Sequence, residues 1–383
     1  MSEGAAHSIA APSALGRIAQ CAASIKMQLP FPEQPDADSA QAAAEGTAAH
    51  WAMAEQMAGR LPMPGDRAAN GIFLTEEMCE ASDLIVEDVR QTIEPHGLKL
   101  SDCITEVPVS ISRVHPLCWG TPDIRVWLPG KTLVVWDLKF GFRHVPVFEN
   151  YQLIAYSVGC IEQAGLHDLE VQVVNRIVQP RSYHSGGSVR EWRYRAADVR
   201  AHVNIMAMAV TEALGENPRA QVGPECRDCR ARHACEALQR ASYAAMDLAG
   251  SATPHELPPA ALGVELRYAT RALQLLEARK AGLEEQALAL IRSGARVPHF
   301  SIENGAGRLA WAKPDAQVIA LGQLLGKNLA KPPEAITPAQ AESAGLPLAQ
   351  LSGFVTRKPG AAKLVADDGS QARRVFGSGI PRA

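Results

Sequence analysis

Residues 119–140 read Trp119-Gly120-Thr121-Pro122-Asp123-Ile124-Arg125-Val126-Trp127-Leu128-Pro129-Gly130-Lys131-Thr132-Leu133-Val134-Val135-Trp136-Asp137-Leu138-Lys139-Phe140. Two β-rich runs flank a Pro-Gly turn, which predicts a hairpin. The second run is apolar at four successive positions, 133–136, the pattern of a strand covered on both faces rather than one with a wet side. It ends in Asp137 and Lys139. Side chains alternate along a strand, so these two share a face, and the hairpin partner can set Asp123 beside them.

Outward from this hairpin, residues 103–112 alternate and read as a preceding strand carrying Glu106, which completes a three-stranded antiparallel meander. An Ala-rich segment at 40–59 and an acidic one from Thr75 to about Glu94 have helical spacing. Downstream come a helix at 150–163, a buried strand at 169–180, a further strand, and a helix at 196–214. This order predicts an α/β fold, a mixed central sheet flanked by helices, over residues 1–248. Residues 249–383 form a mainly helical extension: a Pro-containing linker, a long helix near 260–293, a possible hairpin at Asn304-Gly305, and a Gly-, Pro- and charge-rich tail of loose structure.

A net charge of −3 over 383 residues excludes a simple polycation that coats nucleic acid, although a basic stripe can hide in a neutral total. No apolar run approaches the roughly 20 residues of a membrane helix, and the N-terminal stretch lacks the basic start and apolar core of a signal peptide. A cytoplasmic protein with no membrane partner is expected, and its eight cysteines are expected as thiols. Cys79, Cys103, Cys118 and Cys160 lie in apolar stretches as small buried hydrophobes.

An Asp-x-Lys pair alone is usually a solvated strand face. Here it terminates a buried run, where unpaired charge is costly, so a metal ion or a phosphate is an attractive partner. Carboxylates bind hard cations such as Mg²⁺ or Mn²⁺, and a lysine beside them can orient water and stabilise charge developing on phosphorus. Glu106 is read either as a further ligand or as a hydrogen-bonding neighbour.

With these residues in this order, the chain resembles the PD-(D/E)XK nucleases, with a restriction-endonuclease-like core, and among them the RecB-like branch that includes CRISPR-associated spacer-acquisition and AddB-type nucleases. His50 in Gly46-Thr47-Ala48-Ala49-His50 resembles the branch's N-terminal helical histidine, and Gly120 to Asp123 its Gly-x-x-Asp. Asp137 to Lys139 resembles its Asp-x-Lys, and Gln152 to Tyr156 its Gln-x-x-x-Tyr. The resemblance implies that His50, Asp123 and Asp137 hold the metal and that Lys139 assists the attacking water. Gln152 and Tyr156 lie one helical turn apart and can point a polar pair at the site, or can simply be a packing face. The implied activity is metal-dependent hydrolysis of DNA, as an exonuclease or end-processing enzyme on single strands or duplex ends. The other reading is a nuclease-fold DNA-binding or scaffolding protein that does not cleave.

Cys226-x2-Cys229-x5-Cys235 is a compact thiol hook that asks for a fourth ligand. His233 or Cys21 could complete a zinc site, and four thiolates could hold an iron–sulfur cluster. In the RecB-like branch, one cysteine before the core and three after it at this spacing hold a [4Fe–4S] cluster, which implies Cys21, Cys226, Cys229 and Cys235 here, with Zn²⁺ as the alternative. Six arginines between Arg176 and Arg200 suit phosphate binding, and Trp192 and Tyr194 are read either as stacking residues for single strands or as core. The whole chain also resembles a group of phage and prophage proteins described only as a domain of unknown function, through Gly307 to Trp311 and Thr337. That likeness implies a role in phage recombination, repair or replication beside a recombination protein.

Overall fold

Residues 133–136 and Leu138 are fully buried because their strand is the middle one of five. The computed structural model describes residues 8–31, 37–249 and 257–302. In chain order its elements are α1 (Leu15–Gln20), α2 (Ser24–Gln28), α3 (Ala37–Met57), α4 (Glu76–Ile93), β1 (Ile104–Thr105), β2 (Val109–Ser110), β3 (Trp119–Gly120), β4 (Ile124–Leu128) and β5 (Thr132–Leu138). There follow α5 (Tyr151–Gln163), β6 (Gln172–Val178), β7 (Val189–Arg195), α6 (Arg200–Leu214), α7 (Glu236–Ala249) and α8 (Pro259–Arg292). The main sheet runs β1-β4-β5-β6-β7, with β5 and β6 parallel and the other pairs antiparallel. This is the mixed α/β sheet flanked by helices that the element order predicts.

The two faces of β5 feed two cores. Val134, Trp136 and Leu138 pack with Ile124 and Val126 against α3 and α4, where Met53, Met78, Ile85 and Val89 are buried. Leu133 and Val135 face α5 and α6, with Leu153, Ile154, Val203 and Met206. Each such side chain contributes about 1.5–3 kcal/mol by leaving water. The β4–β5 connection turns at Gly130 and Lys131, both with left-handed φ of 77° and 58°. Asn150 caps α5 by accepting from the Leu153 amide at 3.2 Å.

The structure departs from the predicted meander at its first strand. Residues 103–112 do not form one continuous strand: β1 pairs with β4, and β2 pairs with β3 in a separate ribbon. Pro108 lies between them and cannot donate to a ladder, and Glu106 takes a left-handed φ of 53°, which ends β1. β7 alternates, with Arg190, Trp192 and Tyr194 buried and Glu191, Arg193 and Arg195 outward. Trp192 and Tyr194 are therefore core, and their rings pack at 4.2 Å. The hairpin at Asn304-Gly305, the motifs at 307–311 and 337, and the tail lie outside the described residues. Among the described residues, no helix is long and apolar enough to cross a membrane.

Asp168, in a short turn before β6, accepts from Arg200 Nε at 2.7 Å and Arg113 Nη2 at 3.3 Å. The Arg200 hydrogen bond, aided by Arg113 and opposed by burial, holds its carboxyl down at about 2. A depressed folded pKa stabilises above the unfolded value near 4 and is lost as pH falls toward 2. Solvent around the two arginines screens the pair, so Asp168→Asn is expected to cost about 1–2 kcal/mol at neutral pH. Urea titrations should show that difference shrinking from about pH 4 and vanishing below about pH 2.

Candidate active site

Asp123 lies one residue before β4 and Asp137 one residue before the end of β5, next to the paired Ile124 and Trp136. Continuing that register places the two acids opposite one another on the α5 side of the sheet. Both are buried, at 7% and 2% exposure. Asp123 Oδ2 accepts from the Leu138 amide at 2.6 Å, and its Oδ1 lies 3.4 Å from His50 Nδ1. His50, on α3, is also 3.7 Å from Glu106 Oε1. The left-handed residue that interrupts the first strand is thus the one whose carboxylate reaches the site, and strain of this kind concentrates at such places. One ligand atom from each of His50, Glu106 and Asp123 falls within 4.8 Å of the others.

Asp137 stands outside that trio. Its Oδ1 accepts from Gln152 Nε2 at 3.1 Å, and its Oδ2 lies 2.8 Å from Lys139 Nζ. The ammonium is off hydrogen-bond geometry, so Oδ2 is a buried acceptor with a charge beside it and no donor aligned on it. Gln152 also accepts from Lys139 Nζ at 3.2 Å and donates to Tyr156 Oη at 3.2 Å. The structure therefore brings together all seven residues the sequence singles out: His50, Glu106, Asp123, Asp137, Lys139, Gln152 and Tyr156.

Electrostatics divides the two aspartates. Burial raises both, but at Asp123 the His50 charge and hydrogen bond, Lys139 and the Leu138 amide outweigh it, and the carboxyl is held below its ordinary value. At Asp137 burial and the Asp123 charge prevail over Lys139, and the carboxyl is held up. Burial depresses His50, yet Asp123, then Glu106 and Asp137, lift it well above 6.5. Burial and the Asp137 charge raise Tyr156, which stays a neutral phenol.

Gly120 shows why its motif needs glycine. A Cβ there would meet the Pro12 ring at 2.7 Å and Tyr156 Cε1 at 3.0 Å. The Pro12 ring is rigid and buried, so Gly120→Ala should cost about 1–3 kcal/mol in a thermal melt, with Tyr156 displaced from Gln152.

The four cysteines of the predicted cluster line one small void, with Arg17, Gln20, Ser24 and Arg232 among its other walls. Each sulfur is met by a backbone amide: Gln221 on Cys21 and Gly223 on Cys226, both at 3.4 Å, Leu238 on Cys235 at 3.5 Å, and Ala231 on Cys229. Arg17 Nε, Gln20 Nε2, Ser24 Oγ and Arg232 Nε are buried there without an acceptor. Burial raises the Cys226 and Cys229 thiols against these amide donors, so four sulfurs in this void ask for a cation to be held as thiolates. His233 is not in the lining; its ring packs edge-on against Phe31, with centroids 4.4 Å apart.

The predicted basic stripe is internally neutralised. Arg176 pairs with Asp88 and Glu191, Arg181 with Glu45 and Glu77, Arg193 with Glu191, Arg195 with Asp198, and Arg200 with Asp168. Arg190 is buried against the Gly187 and Val145 carbonyls and Gln179. Spacing along β6 and β7 could not reveal partners drawn from α3 and α4. Sequence reasoning also passed over Asn175, buried within the apolar run of β6, which accepts from Ser157 and donates to Tyr194. A lone polar residue in such a run was its signal.

The chain belongs to the family described as "protein of unknown function (DUF2800)", which matches residues 7–371. A search among curated proteins finds no match. Among solved structures it is similar to a protein of Eubacterium rectale bearing the provisional name of an exonuclease, with a TM-score of 0.35 and 9% identity over 66% of this chain and 91% of that one. Likeness at that level carries no role to this chain.

Proposed function

We propose that the protein is a metal-dependent deoxyribonuclease, an exonuclease or end-processing enzyme of phage recombination, repair or replication. The observation that supports this most is the buried Asp123–Asp137 pair with His50, Glu106 and Lys139 around it, including a buried Asp137 oxygen with no aligned donor. His50, Asp123 and Asp137, with Glu106 at the rim, would hold Mg²⁺ or Mn²⁺. When bound, such an ion supplies Lewis acidity toward phosphate oxygens and a lowered pKa for water. Lys139 is placed to orient the attacking water and to balance charge gathering on phosphorus. Gln152 holds Lys139 and Asp137 together, and Tyr156 fixes the amide of Gln152 in turn.

In the same proposal Cys21, Cys226, Cys229 and Cys235 hold a [4Fe–4S] cluster as a structural staple, with Zn²⁺ the competing occupant. The amide donors on each sulfur and the unpartnered Arg17 and Arg232 nitrogens support an anionic centre there. End-labelled single-stranded and duplex DNA incubated with Mg²⁺, Mn²⁺ or EDTA tests the activity. Cleavage that needs the cation is expected, and none under any cation would sink the nuclease reading. Iron, sulfide and zinc analysis of the purified protein separates the two occupants.

A further inference from the structure

The loops after β5 and β6 leave the same end of the sheet as Asp137 and Lys139, because those strands are parallel neighbours. They are joined into one ledge. Gln179, fully buried, donates to the carbonyls of Gly141 and Arg143, both at 2.7 Å, and accepts from the Val145 amide at 3.1 Å and Arg190 at 2.7 Å. The His144 and His184 rings stack at 4.0 Å across the two loops. The Arg181 guanidinium lies 3.7 Å from the Phe140 ring centre and 5.0 Å from that of Phe142, while its charge is taken by Glu45 and Glu77. On this braced ledge Phe142 and Tyr183 stand out in solvent, 67% and 76% exposed.

Phe142, three residues beyond Lys139, and Tyr183 on the neighbouring loop present aromatic rings to water that do nothing for the core. Gln179 braces the backbone of the loops that carry them and Arg181 faces the Phe142 ring, so part of the ordering cost is met before another flat apolar face arrives. Unstacked bases offer such faces, whereas those of a duplex are covered by their neighbours. The arginines of β6 and β7 already carry acidic partners, so they offer phosphates less than their number suggests. Affinity must then come from stacking more than from charge.

Resting on the nuclease reading, we infer that Phe142 and Tyr183 form a stacking platform that takes the unpaired bases of a single-stranded DNA end and leads its backbone to Lys139. The test uses the full chain carrying Asp137→Asn, fluorescence anisotropy, a labelled oligothymidine, and an abasic strand of the same length. The base-bearing strand should bind more tightly than the abasic one, by a ratio that salt leaves nearly unchanged. Phe142→Ala and Tyr183→Ala should each weaken it by about tenfold, with Phe142→Trp restoring binding. Both side chains are exposed, so unchanged melting temperatures will separate lost contact from lost fold. Equal affinity for the abasic strand, or full affinity in both alanine variants, would overturn the platform and leave the ledge to a protein partner. If the unmutated chain binds as expected yet cleaves nothing, the nuclease reading fails and the platform stands.

Discussion

Asp137→Asn is expected to lower DNA hydrolysis by at least about 10³-fold while the melting temperature stays level or rises. The two halves of this result come from the same geometry. Asp137 is 2% exposed, and burial together with the Asp123 charge holds its carboxyl above the ordinary range even with Lys139 at 2.8 Å. A folded pKa raised above the unfolded one means that ionising the group opposes folding, and that stability falls as pH climbs through the raised value. An amide of the same shape removes that cost and can keep the Gln152 contact by its own oxygen. It cannot supply a negative oxygen to a cation, nor hold the Lys139 ammonium by charge. Lys139→Met should lose activity comparably. Single-turnover cleavage of end-labelled DNA beside a calorimetric melt reads both quantities. Loss of activity with a collapsed melt would make Asp137 a structural residue instead.

The parts of this site visible in the sequence are those fixed by alternation. β5 declares itself through apolar residues on both faces, and once it is a strand, Asp137 and Lys139 must share a side and the Pro-Gly turn must bring β4 antiparallel to it. Helical spacing then ties Gln152 to Tyr156. What spacing cannot carry is the left-handed turn at Glu106, which splits the expected first strand and aims a carboxylate at His50. Nor can it carry ion pairs between distant elements: the arginines of β6 and β7 look like a phosphate-binding stripe until α3 and α4 supply Glu45, Glu77 and Asp88. Trp192 and Tyr194 stand on the buried parity of an edge strand, whereas Phe142 and Tyr183 project from loops without periodicity to announce them.

The second large effect concerns the C-terminal helices α7 and α8. Among the described residues, α7 and α8 share a core in which Leu238, Leu275 and Ala278 are buried, with Val222, Cys226, Cys235 and Ala241 packed against them. The remaining anchorage runs through the cysteine hook. Gly282 of α8 lies so close to it that a Cβ would stand 2.6 Å from Arg232 Cγ, and the Arg279 guanidinium caps the hook's carbonyls. The hook in turn is tied to the N-terminal segment, where Gln20 accepts from the Glu225 amide and Cys21 from that of Gln221. A centre held by four thiolates would close this loop between the two ends of the chain, and its binding energy is then folding energy for everything packed on it. Cys229→Ser, or removal of the metal by a chelator under reducing conditions, should therefore make residues 220–292 exchange amide hydrogens and succumb to protease first. β4, β5 and β6, whose core against α3 and α4 contains no residue of the hook or of the N-terminal segment tied to it, should remain protected. Hydrogen exchange read by mass spectrometry, peptide by peptide, resolves this. Uniform protection after the metal is gone would show that packing alone holds α7 and α8, and would reduce the four cysteines to neighbours in a void.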